Sequence, residues 1–185
     1  MNEVIVHSPA TVANVAAGFD IMGFALSNPH DEVLVRKTKD LGVRIINETG
    51  NFPDMPLEPQ KNTAGIALLT YLAHVKPDCG FELVFKQKIK PGSGIGSSAA
   101  SAVAGVFGAN TLLGNPLKRD DLLPFVMEGE KVASGVAHAD NVGPALLGGF
   151  ILVRSYHPLD VVKIDTPENL AAAVIHPQIE VRTED

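Results

Sequence analysis

The chain has 185 residues, 45% of them apolar, and a formal net charge of −6, enough for one domain or one and a half with a sizeable core and too acidic to favour nucleic acid as a partner. No apolar run of about 18 residues escapes polar interruption, and the start Met1-Asn2-Glu3-Val4 lacks the basic region and long apolar stretch of a signal peptide, so neither a membrane span nor export is expected. The single Cys79 excludes an internal disulfide and fits a reducing, cytoplasmic setting.

Glu3 to His7 reads as a short strand. In the small and apolar stretch that follows, Asn14 and Asp20 are the only side chains between Thr11 and Ser27 able to grip a polar ligand strongly. A carboxylate in such a stretch must be paired, hydrogen-bonded or poised for a ligand. Local turns built on the two side chains are the alternative. Asp31–Thr38 and Val43–Asn47 read as strands around the turn Lys39-Asp40-Leu41-Gly42. Pro53, Pro56 and Pro59 mark a surface loop between Gly50 and Gln60. A helix is expected from Asn62 to Val75, with Asn62 or Thr63 as N-cap, an apolar face of Ile66, Leu69, Leu72 and Ala73, and Pro77 barring continuation. Phe81 to Ile89 alternates as a strand, with Lys86, Lys88 and Lys90 to one side. These lysines either form a solvated face or lend positive potential to the segment that follows.

That segment is Pro91-Gly92-Ser93-Gly94-Ile95-Gly96-Ser97-Ser98-Ala99-Ala100-Ser101. Three alternate glycines permit tight turns and close backbone approach to a ligand. They feed a run of small residues suited to a closely packed helix that ends near Gly114-Asn115-Pro116. A glycine loop opening a helix aims backbone N–H groups and the positive end of the helix dipole at one spot, which suits phosphate. No Lys follows Gly96, so this is not a P-loop, and Ser97 replaces the third glycine of the dinucleotide fingerprint. A flexible turn before a core helix is the plainer alternative.

A second helix is expected from Asp120 to Ser134, burying Leu122, Leu123, Val126 and Met127. Glu128 and Glu130 then point to different sides, and one of them can reach a metal held at Ser98. A Mg2+ bound by phosphates needs only one or two protein oxygens. His138, Asp140 and Asn141 make a polar cluster among small residues. Phe150–Ser155 and Val161–Asp165 pair as strands around His157-Pro158, and Ala171–His176 is a further strand candidate.

Gly94-Ile95-Gly96-Ser97-Ser98-Ala99 resembles the phosphate loop of the GHMP small-molecule kinases, with Ile95 where Leu is usual. Pro9, Ala10, Thr11, Asn14, Gly18, Phe19, Asp20 and Gly23 resemble a signature near the start of the homoserine kinases in that family, with Ala16 where Gly is usual. Ser134-Gly-Val-Ala-His138-Ala-Asp140-Asn141-Val-Gly-Pro-Ala-Leu-Leu-Gly148-Gly149 is similar to their most discriminating motif. Galactose and mevalonate kinases place a catalytic Asp where Asn141 falls.

The resemblance implies an α+β fold of the GHMP kinase N-terminal type, akin to ribosomal-protein domains with a βαβ unit on a mixed sheet. It implies ATP and Mg2+ as cofactors and L-homoserine as the small-molecule substrate, phosphorylated on its hydroxyl for threonine synthesis. Residues Pro91 to Ser101 would hold the nucleotide, with Asn62 beside the adenine, and Ser98 and Glu130 would hold Mg2+. Asn14, Asp20, His138 and Asp140 would hold homoserine. Asn141 would orient the reacting groups, with Asp140 available as a base. Only the family's N-terminal part is matched. Residues 1–166 are expected to form the ATP- and substrate-binding domain and 167–185 the start of a second domain. The family's substrate-carboxylate arginines are expected beyond Asp185, Arg182 being a poor match. An orphan strand in 167–185 seeks an edge, its own or that of a second copy, which leaves a homodimer open. A GHMP kinase acting on a sugar, mevalonate or shikimate, and a nucleotide-binding fragment without activity, are the rival readings.

Overall fold

The computed structural model describes residues 1–48, 50 and 52–175. Two long strands, β1 (Glu3–Val15) and β2 (Gly18–Thr38), form an antiparallel hairpin that is the spine of a six-stranded sheet. β1 runs along one edge of β2. β4 (Gly80–Gln87) takes the C-terminal half of the other edge, pairing with Glu32–Thr38, and β5 (Phe150–Tyr156) takes the N-terminal half at Met22–Phe24. β3 (Val43–Asn47) lies outside β4 and β6 (Leu159–Ile164) outside β5.

The hairpin is longer than the sequence suggests. The short strand expected at Glu3–His7 continues to Val15, and β2 begins at Gly18 rather than Asp31. Left-handed φ values at Asn14 (56°), Ala16 (52°) and Asp20 (59°) and register shifts at Pro9/Thr11 and Ala13/Val15 break the regular alternation by which a strand is recognised. β3 also departs from expectation. It does not fold back on β2 through the turn at 39–42 but pairs in parallel with β4. The connection is α1 (Thr63–Val75), so β3, α1 and β4 make the βαβ unit of a mixed sheet.

Among the described residues, four helices pack on the sheet: α1, α2 (Ser97–Leu112), α3 (Leu123–Ser134) and α4 (Ala139–Leu147). α2 is their hub, packed against the β1–β2 hairpin and the other three helices. Its Ala, Gly and Ser residues are buried almost all round, as in a helix enclosed by protein. The small side chains allow close approach: a Cβ on Gly108 would lie 2.5 Å from a Val35 methyl on the sheet. α1 begins as expected, its N-terminal amides of Ala64 and Gly65 donating to Asn62 Oδ1. Its buried face is rotated from the expected one, however, to Ala64, Ala67, Leu68 and Tyr71, with Ala73 exposed. A helix serving both sheet and helix neighbours buries its small alanines, which a search for large apolar residues passes over.

α3 is preceded by a 3-10 turn at Asp120–Leu122 and buries Leu122, Leu123, Val126 and Met127 as anticipated. α4 was not anticipated, because Pro144 lies inside it. Within the strand candidate Ala171–His176, residues 171–175 are exposed and without regular structure, while His176 and Arg182 lie outside the described residues. No helix among the described residues is long and apolar enough to cross a membrane.

Ala16 occupies a backbone region that costs an L-residue roughly 1–2 kcal/mol and glycine little. Replacing Ala16 with Gly is therefore expected to stabilise the chain by up to about 1 kcal/mol, after the added freedom of the unfolded glycine is subtracted. Urea unfolding of the two chains measures it; a clear loss of stability would contradict the strain assigned to this turn.

Candidate active site

The glycine loop sits between two fixed ends. At its start, the Ile89 N–H donates to Asp31 Oδ1 at 2.7 Å, and the Ile89 carbonyl accepts from Ser97 Oγ at 2.8 Å. At its end, Ser101 Oγ donates to Asp31 Oδ2 at 2.6 Å. Lys88 lies against the same group, its Nζ 3.5 Å from Asp31 Oδ2, 3.1 Å from Ser97 Oγ and 2.5 Å from Ser101 Oγ. Strand β2, the loop flank and the first turn of α2 thus share one buried knot. Burial pushes the Asp31 carboxyl up and the Lys88 ammonium down, each opposed by the other's charge. The expectation of a solvated or ATP-facing lysine row fails at Lys88, while Lys90 is exposed. β4 ends at Gln87, so Lys88 leaves the strand's alternation and turns inward. Lys86 instead pairs with Glu48 at the surface, 3.3 Å away.

Between these ends, Gly92, Gly94 and Gly96 all take left-handed φ, at 70°, 70° and 68°. Gly96 is the N-cap residue of α2, and no side chain caps the helix. The first amides of its opening turn have no helical acceptor behind them and face outward for an anion. Ser93 adds a second sign of a polar occupant: its Oγ is buried without a hydrogen-bond partner among the described residues.

Ser98, on the first turn of α2, donates to Glu130 Oε2 on α3 at 3.2 Å. Glu130 is only 8% exposed, and burial raises its carboxyl to about 7. The Ser98 hydroxyl opposes that rise, the Asp140 charge adds to it and Lys88 opposes it. Glu128 points outward to Lys131 at 2.6 Å, so the two glutamates take different sides as their spacing requires. A buried carboxylate beside a hydroxyl, with a second carboxylate near enough to be felt, is an oxygen donor set that fits Mg2+.

The hairpin tip reaches the start of α4. Asp20 Oδ1 lies 3.4 Å from His138 Nδ1, and Tyr156 OH ties the two segments by donating to the Asp20 carbonyl at 2.6 Å and accepting from the Ala139 N–H at 3.2 Å. The approach is close: a Cβ on Gly23 would collide with the Asp140 carbonyl oxygen. Asp140 is buried, and burial raises its carboxyl, with His138 opposing and Asp20 adding to the rise. Asn14 has the local role that its residue type allows, accepting the Asp20 N–H at 2.8 Å and shaping the tip. Asn141 is held by Thr11, whose hydroxyl donates to Asn141 Oδ1 at 2.7 Å, while the Thr11 N–H donates to the Ile95 carbonyl in the glycine loop. With its oxygen engaged, Asn141 has its amide N–H groups to offer.

The structure therefore brings the glycine loop, Ser98, Glu130, Asp20, His138, Asp140 and Asn141 to one end of α2, with Asn14 behind the tip. Asn62 stands apart: its amide caps α1 and donates to the Pro56 carbonyl at 2.8 Å, and none of these bonds reaches the loop. Sequence reasoning missed Thr11, Asp31, Lys88 and Tyr156 as supports, because each acts on partners distant along the chain. Only Lys88, a charge placed just before a glycine loop, carried a local signal.

Because the Glu130 carboxyl titrates near 4.5 when unfolded and about 7 when folded, it leaves stability unaffected below the lower value. Stability then falls as pH rises between the two, and above about 7 the full penalty stands at roughly 3 kcal/mol. Glu130→Gln, measured without divalent ions, is expected to be more stable than the parent chain at pH 8 by up to that amount and no more stable at pH 4. Equal stabilities at pH 8 would show that Glu130 is not a buried, desolvated acid.

Residues 62–149 match the family model of the GHMP kinases N terminal domain. The homoserine kinase of Chloroherpeton thalassium is 46% identical over 99% of this chain and 60% of its own length, and that of Methanococcus vannielii is 40% identical over the same shares. The chain thus spans about 60% of the length of these curated relatives. The crystal structure of homoserine kinase from Cytophaga hutchinsonii superposes with a TM-score of 0.91 at 53% identity, covering 99% of this chain and 58% of that one. Methanococcus jannaschii mevalonate kinase shares the fold, with a TM-score of 0.68 at 17% identity over 89% of this chain and 56% of that one. The chain is thus similar over nearly its whole length to homoserine kinases, and its residues 62–149 match the N-terminal domain of the GHMP kinases.

Proposed function

We propose that, at the full length of its relatives, this protein phosphorylates the hydroxyl of L-homoserine with ATP, giving O-phospho-L-homoserine for threonine synthesis. The observation that carries the reading is the meeting of Asp20 with His138, Asp140 and Asn141 beside the open N-terminus of α2. A negatively charged, hydrogen-bonding cradle beside amides that suit an anion is what an amino-acid alcohol and a nucleoside triphosphate require. The homoserine kinases named above support the choice of substrate.

The residues fit both cofactors. The amides of Gly92 to Ser98 and the buried Ser93 hydroxyl would hold phosphates, and Ile95, Ala99, Ala100 and Ser101 shape and anchor the turn behind them with Pro91 at its entrance. Ser98 and Glu130 would hold Mg2+. Asn62 would border the adenine through α1, its amide already committed to the helix cap. ATP supplies the phosphoryl group, and Mg2+ offsets the charge on its phosphates.

The chain's own residues do the positioning on which phosphoryl transfer mostly depends. Asp20 takes the substrate ammonium, oriented by His138 and by Asn14 through the tip. Asn141, held by Thr11, donates toward the reacting oxygens. A neutral amide is no base, so Asn141 orients while Asp140, buried and raised, is the nearby group able to receive the hydroxyl proton. Residues 167–185 are read as the start of a second domain that supplies the rest of the substrate site.

The test is ADP release with Mg-ATP by the chain at the length of its relatives, offered L-homoserine, mevalonate, galactose and shikimate separately. Turnover with homoserine alone is expected. Turnover only with another acceptor would leave the family and overturn the substrate, and nucleotide binding without transfer to any acceptor would favour a non-enzymatic role. Asp20→Asn is expected to raise KM for homoserine by about 10–100-fold, the worth of one charged hydrogen bond. Asn141→Asp should not raise turnover; a strong rise would show that a base is missing from the proposed site.

A further inference from the structure

On the face of the hairpin away from the helices, β1 and β2 bring together two imidazoles and a carboxylate. His7 and Glu32 are direct cross-strand partners, and His30 lies two residues from Glu32 on the same face, opposite Pro9. The intervening Asp31 points the other way, into the knot beneath the glycine loop. The His7 and His30 rings meet edge to face, with centroids 4.9 Å apart. One ligand atom from each of His7, His30 and Glu32 falls within 4.8 Å of the other two, and they are the one such trio among the described residues.

We propose that His7, His30 and Glu32 form a binding site for a divalent transition-metal ion of the zinc class. Two neutral imidazoles and one carboxylate are a donor set that zinc accepts, leaving a fourth position for water. Bonds of about 2 Å to a tetrahedral ion put ligand atoms roughly 3.3 Å apart, so the three groups must draw together by up to about 1.5 Å from their 4.8 Å limit. His7 is exposed and His30 and Glu32 are only partly buried, which leaves their side chains room to do so. The backbones need not move, because the sheet register already aligns all three, and the His30 carbonyl is held by Gln87 Nε2 at 3.1 Å. Mg2+ is a poor occupant, since it prefers oxygen ligands and near-ideal octahedral geometry. The site is thus chemically distinct from the oxygen donors of Ser98 and Glu130 and independent of the kinase reading.

An ion here would staple β1 to β2 next to the register shift that separates Pro9 and Thr11, four residues before the threonine that holds Asn141.

The test is calorimetric titration of the full chain with Zn2+ in the presence of excess Mg2+, with Tm followed alongside. One equivalent is expected to bind and raise Tm to a plateau. His7→Ala and His30→Ala should each weaken binding by more than the ~10–100-fold that loss of a group merely orienting a ligand costs, while Glu130→Gln leaves it unchanged. His7→Gln, a milder change at an exposed position, should behave as His7→Ala with an unaltered Tm in chelator, which separates lost binding from misfolding. Binding that persists in both histidine variants, binding lost in Glu130→Gln, or no binding by the parent chain would overturn the proposal.

Discussion

The carboxylate of Asp31 holds the site in place. It is fully buried and takes hydrogen bonds from the Ile89 amide and the Ser101 hydroxyl, with the Lys88 ammonium beside it. These contacts join the central strand, the entrance of the glycine loop and the first turns of α2. A buried ion pair is weak evidence for net stability, but removing one partner is costly because it strands the other charge. What the knot supplies is geometry. The loop has three left-handed glycines and little intrinsic preference for one shape, so fixing its two ends fixes where its amides point.

The same economy appears around α2. Because its residues are small, the sheet and three helices close upon it, and parts of the chain far apart in sequence meet at its N-terminus. Glu130 arrives from α3, Asp140 and Asn141 from α4, and Asp20 from the hairpin tip. Thr11 bridges α4 and the glycine loop, bonding to Asn141 with its side chain and to the Ile95 carbonyl with its backbone. The resulting group is rich in carboxylates and poor in cations. Burial drives the Glu130 and Asp140 carboxyls upward, a condition that a divalent cation and a substrate ammonium would each relieve.

What could be read in advance was local. Asn62 and Pro77 delimit α1, and the stretch from Gly114 to Pro116 follows α2, because caps and breakers act within a turn of their own position. The chemistry-bearing motifs were legible for the same reason: alternate glycines before a helix, and a His, an Asp and an Asn in four residues. What escaped depends on distance. β2 looked short because Asp20 and the irregular register near the tip disguise a strand. β3 looked like a hairpin partner of β2, yet β4 occupies that edge of β2, and β3 settles beyond it. The bond between Thr11 and Asn141 spans 130 residues, and neither residue type announces the other. By spacing Lys88 is one of three alternating lysines, whereas the strand ends one residue earlier and leaves it free to turn inward.

The claim on which the account rests is that nucleotide phosphates lie on the amides at the start of α2. Titrating Mg-ADP into the isotopically labelled chain while following backbone amide resonances tests this directly. The account predicts that the shifts concentrate in Gly92 to Ala99 and extend to Glu130. Shifts centred instead on the hollow at the other end of α2, lined by Phe107, Asn110 and Arg119, would contradict it.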